Sequence, residues 1–190
     1  PAKKENNFKL TAAELEESVT DKTKLLILNS PSNPTGAVYS SDELKAIADL
    51  CARRRIYVLS DEIYEKLVYD NLRACSIAAF NKDIYERTFT VNGVSKAYSM
   101  TGWRIGYCAG PLEAMNAIKN LQDHSTSNPC SIAQKAALKA LTCRDDWTRS
   151  MCQEFQRRRD YLVERLKNIP GIAYIRPQGA FYLFCDISAA

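Results

Sequence analysis

Apolar positions follow two rhythms along this chain, and the rhythm changes at clusters of turn residues. Leu25 to Leu28 and Ile56 to Leu59 are short continuous apolar runs, which predict buried strands. Between them Leu44, Ile47, Ala48, Leu50 and Cys51 recur at helical spacing and predict a helix from Asp42 to Arg54. Ser40-Ser-Asp-Glu43 ahead of that helix is a capping box, as is Thr11-Ala-Ala-Glu14 ahead of a short helix ending near Val19. Thr88 to Val91 and Ile105 to Ala109 predict two more strands. Beyond Gly110-Pro111 the pattern is helical: Leu112 to Asp123, then a helix capped by Asn128 with Pro129 in its first position and running to about Leu141, then a long one from Trp147 to Lys167. Ile172 to Ile175 and Phe181 to Phe184 predict strands joined by a hairpin-like connection.

Strands alternating with helices imply an α/β fold, a mostly parallel sheet flanked by helices. The last two strands follow a long helix instead of alternating. The expected division is therefore a large α/β domain over 1–143 and a linker helix with the start of a smaller α+β domain over 144–190. The chain starts at Pro1 without methionine and stops just after a strand-like run, so a piece of a longer protein is expected.

Composition narrows the class of partner. A net charge of +4 is too mild for a nucleic-acid footprint, and Arg53-Arg54-Arg55 and Arg157-Arg158-Arg159 fall within helical patterns as solvated faces. No apolar run approaches the roughly 18 residues of a membrane span. Seven cysteines form no C-x-x-C pair, and with one histidine they favour reduced thiols in a cytoplasmic protein over a zinc site.

The chemistry gathers after strand ends, where open α/β sheets place their ligand crevice. Asn33 follows the first strand, Asp61 closes the second and Lys96 follows the third. Lys96 stands among small and apolar residues in Val91 to Gly106, and Arg104 lies eight positions further on. A desolvated amine is nucleophilic and forms imines. The set meets the needs of pyridoxal 5'-phosphate: an amine for its aldehyde (Lys96), a carboxylate for its ring nitrogen (Asp61), donors for its ring oxygen (Tyr64, Asn33), and cationic and hydroxyl donors for its phosphate (Arg104, Ser95). The chemistry calls for no metal.

Asn33-Pro-Thr-Gly36, Ser60-Asp61-Glu-Ile-Tyr64 and Ser95-Lys96-Ala-Tyr-Ser-Met-Thr-Gly-Trp-Arg104-Ile-Gly resemble, in order, the motifs of the class I and II aminotransferases of fold type I. Within them the resemblance is to the bacterial aspartate and aspartate/prephenate members. It implies transamination between an amino acid, aspartate or glutamate, and a 2-oxoacid. Lys96 would carry the cofactor and shuttle the proton, and Asn33 would also touch the substrate carboxylate. Many relatives have a serine where Gly93 stands, with Ser95 as the substitute here. The loop Ser125-Thr-Ser-Asn128 resembles one that reaches a neighbouring subunit, which implies a homodimer. The family's N-terminal phosphate-binding turn has no counterpart, and its substrate-clamping arginine would lie past Ala190, so the isolated piece is expected to be inactive. Two alternatives share the scaffold: a carbon–sulfur lyase or cyclopropane-carboxylate synthase, and a non-catalytic effector domain that senses the cofactor.

Overall fold

The structure is a computed structural model that describes residues 3–143 and 147–189. Both capping boxes form with reciprocal bonds. Glu14 N–H donates to Thr11 Oγ1 (3.2 Å) and Thr11 N–H to Glu14 Oε2 (3.1 Å), opening α1 (Ala12–Ser18). Glu43 N–H donates to Ser40 Oγ (3.2 Å) and Ser40 N–H to Glu43 Oε2 (2.7 Å), opening α2 (Ser41–Arg54). All five apolar positions read on α2 are buried.

Strands β1 (Leu25–Asn29), β2 (Tyr57–Asp61), β3 (Thr88–Gly93) and β4 (Gly106–Ala109) lie in that order in one sheet. The first three are parallel, and β4 returns antiparallel to β3. Helices α1, α2 and the one-turn α3 (Lys82–Tyr85) cover one face, where Leu28, Val58, Leu44, Ile47 and Ile84 form the core. The expectation that β1 is buried on both sides needs correcting. Strand side chains alternate, and Leu25 and Ile27 point to the other face, where they remain 44% and 69% exposed. Asp61 shares that open face, because it follows Tyr57 and Leu59 at two-residue steps.

Helices α4 (Leu112–Ser125), α5 (Ser131–Thr142) and α6 (Trp147–Leu166) follow. The cap expected at Asn128 is not used. Ser127 takes a left-handed φ of 57°, and Cys130 is the residue before the first turn of α5, with no side-chain cap bond. The Pro129 carbonyl accepts a bond from Gln134 Nε2 (2.8 Å) instead.

The hairpin expected at the C-terminal end is also corrected. The pairing is between the two-residue strands β5 (Ala173–Tyr174) and β6 (Cys185–Asp186), antiparallel, while Gly179 bridges to Val68. Phe181 to Phe184 is not a strand. The connection between the pair is drawn away as a strap: Gln178 and Gly179 N–H both donate to the Gly36 carbonyl, and Ala180 N–H donates to the Leu67 carbonyl. Backbone groups satisfied there cannot also form a tight turn. The expected domain boundary at 144 lies outside the described residues.

Candidate active site

Strands β1 and β2 end side by side, with Asn29 paired to Asp61. Asn29 Nδ2 donates to the Asp61 carbonyl (3.1 Å), and its Oδ1 accepts from Asn33 N–H (2.7 Å). One amide side chain thus folds the Pro-rich turn back over both strand ends. Asp61 Oδ1 accepts from Ile63 N–H (3.1 Å), which fixes a half-buried carboxylate at the end of β2.

Beside it, β3 passes into the turn that carries Lys96, where Ser99 N–H donates to the Lys96 carbonyl (3.2 Å). Gly93 pairs with Gly106 across the β3–β4 ladder. A Cβ on Gly93 would lie 2.9 Å from the Ile105 carbonyl oxygen, so the serine many relatives are expected to carry here does not fit this backbone. Ser95 is the hydroxyl that reaches the cleft. Arg104 sits at a left-handed φ of 55°, exposed, with Nη1 spent on the Thr101 carbonyl (2.8 Å) and the rest of its fork free to face the cleft.

Asp61, Ser95 and Arg104 line one cleft of about 310 Å³, together with Asn92 and Ile105. Lys96, Tyr64 and Asn33 form an adjoining group. Lys96 Nζ lies 5.9 Å from the centre of the Tyr64 ring and 5.6 Å from that of Phe181, within cation–π range. The Tyr64 and Tyr182 hydroxyls are 2.5 Å apart, and Asn33 Nδ2 donates to the Tyr182 hydroxyl (3.2 Å). Burial, then the bond to Tyr182, pushes the Tyr64 phenol well above the ordinary tyrosine range. The six residues read from the sequence come together in two adjoining groups joined by the Asp61–Tyr64 segment. A wider cavity of about 740 Å³ lies behind the lysine turn, but its walls are mainly apolar, with Ala97, Met100, Trp147 and Met151 among them, and it holds none of the six.

Three residues escaped sequence reasoning. Asn29 was legible in principle, as a polar residue at the end of an apolar run. Phe181 and Tyr182 were hidden because their segment is a short apolar and aromatic run that reads as a strand.

The family described as Aminotransferase class I and II matches residues 1–190. This chain belongs to the class I and II aminotransferases. It is 47% identical over 180 residues to an aspartate aminotransferase of Geobacillus stearothermophilus, covering 95% of this chain and 46% of that protein. It is 49% identical over 185 residues to an aspartate/prephenate aminotransferase of Cereibacter sphaeroides, covering 97% and 46%. The structure of the aspartate aminotransferase from Rhizobium meliloti superposes with a TM-score of 0.95 at 42% identity, covering 98% of this chain and 47% of that one. The Thermus thermophilus aspartate aminotransferase with maleate superposes at 0.89 and 41% identity, covering 97% and 48%. The chain spans about half the length of the relatives it matches. Its mostly parallel sheet with flanking helices is that of this aminotransferase family.

Proposed function

We propose that the protein carrying this chain is a pyridoxal-phosphate aminotransferase that moves an amino group between aspartate or glutamate and a 2-oxoacid. The observation that carries the reading is the Lys96 amine set against the Tyr64 and Phe181 rings, next to a cleft with a carboxylate at one wall and a guanidinium at another. The donor set fits the cofactor group by group. Arg104 and Ser95 would hold the phosphate, Asp61 the protonated ring nitrogen, and Tyr64 with Asn33 the ring oxygen. Bound there, the cofactor supplies an aldehyde for the amine and an electron sink for the pair left when a substrate C–H bond ionises. Asp61 would keep the ring nitrogen charged, the Tyr64 phenol would donate to the ring oxygen, and the Lys96 amine would take up and return the proton.

The relatives' names support an acidic substrate, and maleate, named with the Thermus thermophilus enzyme, is a dicarboxylate. A homodimer, a cytoplasmic location and the division into 1–143 and 144–190 belong to the same proposal. Among the described residues no helix is long and apolar enough to cross a membrane. Full-length protein given pyridoxal 5'-phosphate, glutamate and oxaloacetate should form aspartate. Lys96→Ala should abolish both that product and the visible absorbance of the lysine-bound cofactor. A band that survives the substitution would overturn the assignment.

A further inference from the structure

The strap Pro177–Ala180 is held from both sides. Its backbone bonds to the Gly36 and Leu67 carbonyls fix one side, and Tyr69 N–H donates to the Gln178 carbonyl (2.9 Å). On the other side Arg159 of α6, 6% exposed and so not part of the solvated face expected for Arg157 to Arg159, donates Nη1 to the Pro177 carbonyl (2.9 Å) while its fork grips Asp70. The Tyr69 hydroxyl donates to the Ala180 carbonyl. The next two residues are Phe181, whose ring faces Lys96, and Tyr182, whose hydroxyl lies between Asn33 and Tyr64. A phenol on a flexible stretch would lose these contacts to rotamer and backbone freedom. On a strap pinned this way it returns to one place.

We propose that Tyr182 is a positioning residue of the Lys96 site: held by the Asn33 amide and by the strap, its hydroxyl fixes the direction of the Tyr64 phenol and so of the donors that meet the cofactor ring. The inference rests on the proposed cofactor role of Lys96 and Tyr64. Tyr64 has a hydroxyl that can rotate about its C–O bond. The Tyr182 oxygen at 2.5 Å, itself tied to Asn33 Nδ2, removes that freedom. Tyr182 acts through Tyr64 and need not touch the cofactor.

The test is a double-substitution cycle in the full-length protein, with Tyr182→Phe, Tyr64→Phe and both. The readouts are the dissociation constant of added pyridoxal 5'-phosphate from the apoprotein and the pH midpoint of the visible band. Tyr182→Phe should weaken cofactor binding about three- to tenfold and move the midpoint in the same direction as Tyr64→Phe. The double variant should match Tyr64→Phe alone within about twofold, because Tyr182 has nothing left to orient. A Tyr182→Phe protein that binds and titrates as the parent, or effects that multiply independently, overturns the inference. Lys96→Ala separates the levels. If it loses the band while Tyr182→Phe is silent, only this inference fails, and if it keeps the band, the cofactor reading fails as well.

Discussion

Arg159 and Asp70 stand 89 positions apart and meet through two parallel contacts, Nη1 to Oδ2 at 2.7 Å and Nη2 to Oδ1 at 2.8 Å. The guanidinium also lies 4.8 Å over the Tyr69 ring and donates to Pro177. It is buried, whereas the Asp70 side chain is 42% exposed, so solvent screens one side of the pair. Asp70→Asn should cost about 1–2 kcal/mol, because Asp160 remains as a second carboxylate. The bond to Arg159 holds Asp70 below the usual carboxylate range. Its contribution is therefore complete above the unfolded value of 3.8 and is lost as pH falls through the lower folded value. Urea midpoints of parent and Asp70→Asn should differ at neutral pH and converge in acid.

Gly179→Ala tests the strap directly. A Cβ there would lie 2.8 Å from the Leu67 carbonyl oxygen and 2.8 Å from Pro31 Cβ. Overpacking of this kind costs about 1–3 kcal/mol. The thermal midpoint should fall, and cofactor affinity should fall with it as Phe181 and Tyr182 move. An unchanged affinity in a folded, destabilised variant would uncouple the strap from the site.

Glu62 gives a pH dependence of opposite sign. Burial raises its carboxyl above 4.5, although Ser60 Oγ (2.8 Å) and Ser76 Oγ (2.7 Å) both donate to it. The native state then binds the proton more tightly than the unfolded chain. Stability contributed by this group is greatest below 4.5 and declines as pH rises from there through the raised folded value. Glu62→Gln should flatten that decline in a series of urea unfolding curves. A slope identical to the parent's would show that Glu62 does not titrate across folding.

Asp61→Asn should leave the cofactor bound to Lys96 and still visible, but reduce kcat by about a hundredfold or more, as expected when a charge aimed at a reacting group is neutralised. Stopped-flow absorbance and steady-state turnover read the two parts separately. Turnover within about tenfold of the parent would remove Asp61 from its proposed role.

Much of the frame was legible because local signals decided it. The capping boxes at Thr11 and Ser40 needed only residues within one turn, and both form. The strand ends carrying Asp61 and Lys96 followed from where apolar runs stop. What resisted reading depended on distant partners. Phe181 to Phe184 is apolar and aromatic throughout, as a buried strand would be, yet carbonyls at Gly36 and Leu67, more than 100 positions away, claim the backbone just before it. Leu25 and Ile27 were as apolar as Leu28, and no local rule says that only one side of β1 is covered here. The Tyr64–Tyr182 contact spans 118 positions and left no trace in spacing.

Because β4 runs back along β3, residues 94–105 are an excursion closed by the pairing of Gly93 with Gly106. The ends of the stretch that carries Lys96 and Arg104 are therefore held by a ladder only a few residues away, and Val94 and Ile105 within it pack on Ala133 and Ala137 of α5. The amine and the guanidinium thus share one closed insert seated on α5, so substitutions at Ala133 or Ala137 should be felt at the insert as well as in the helix.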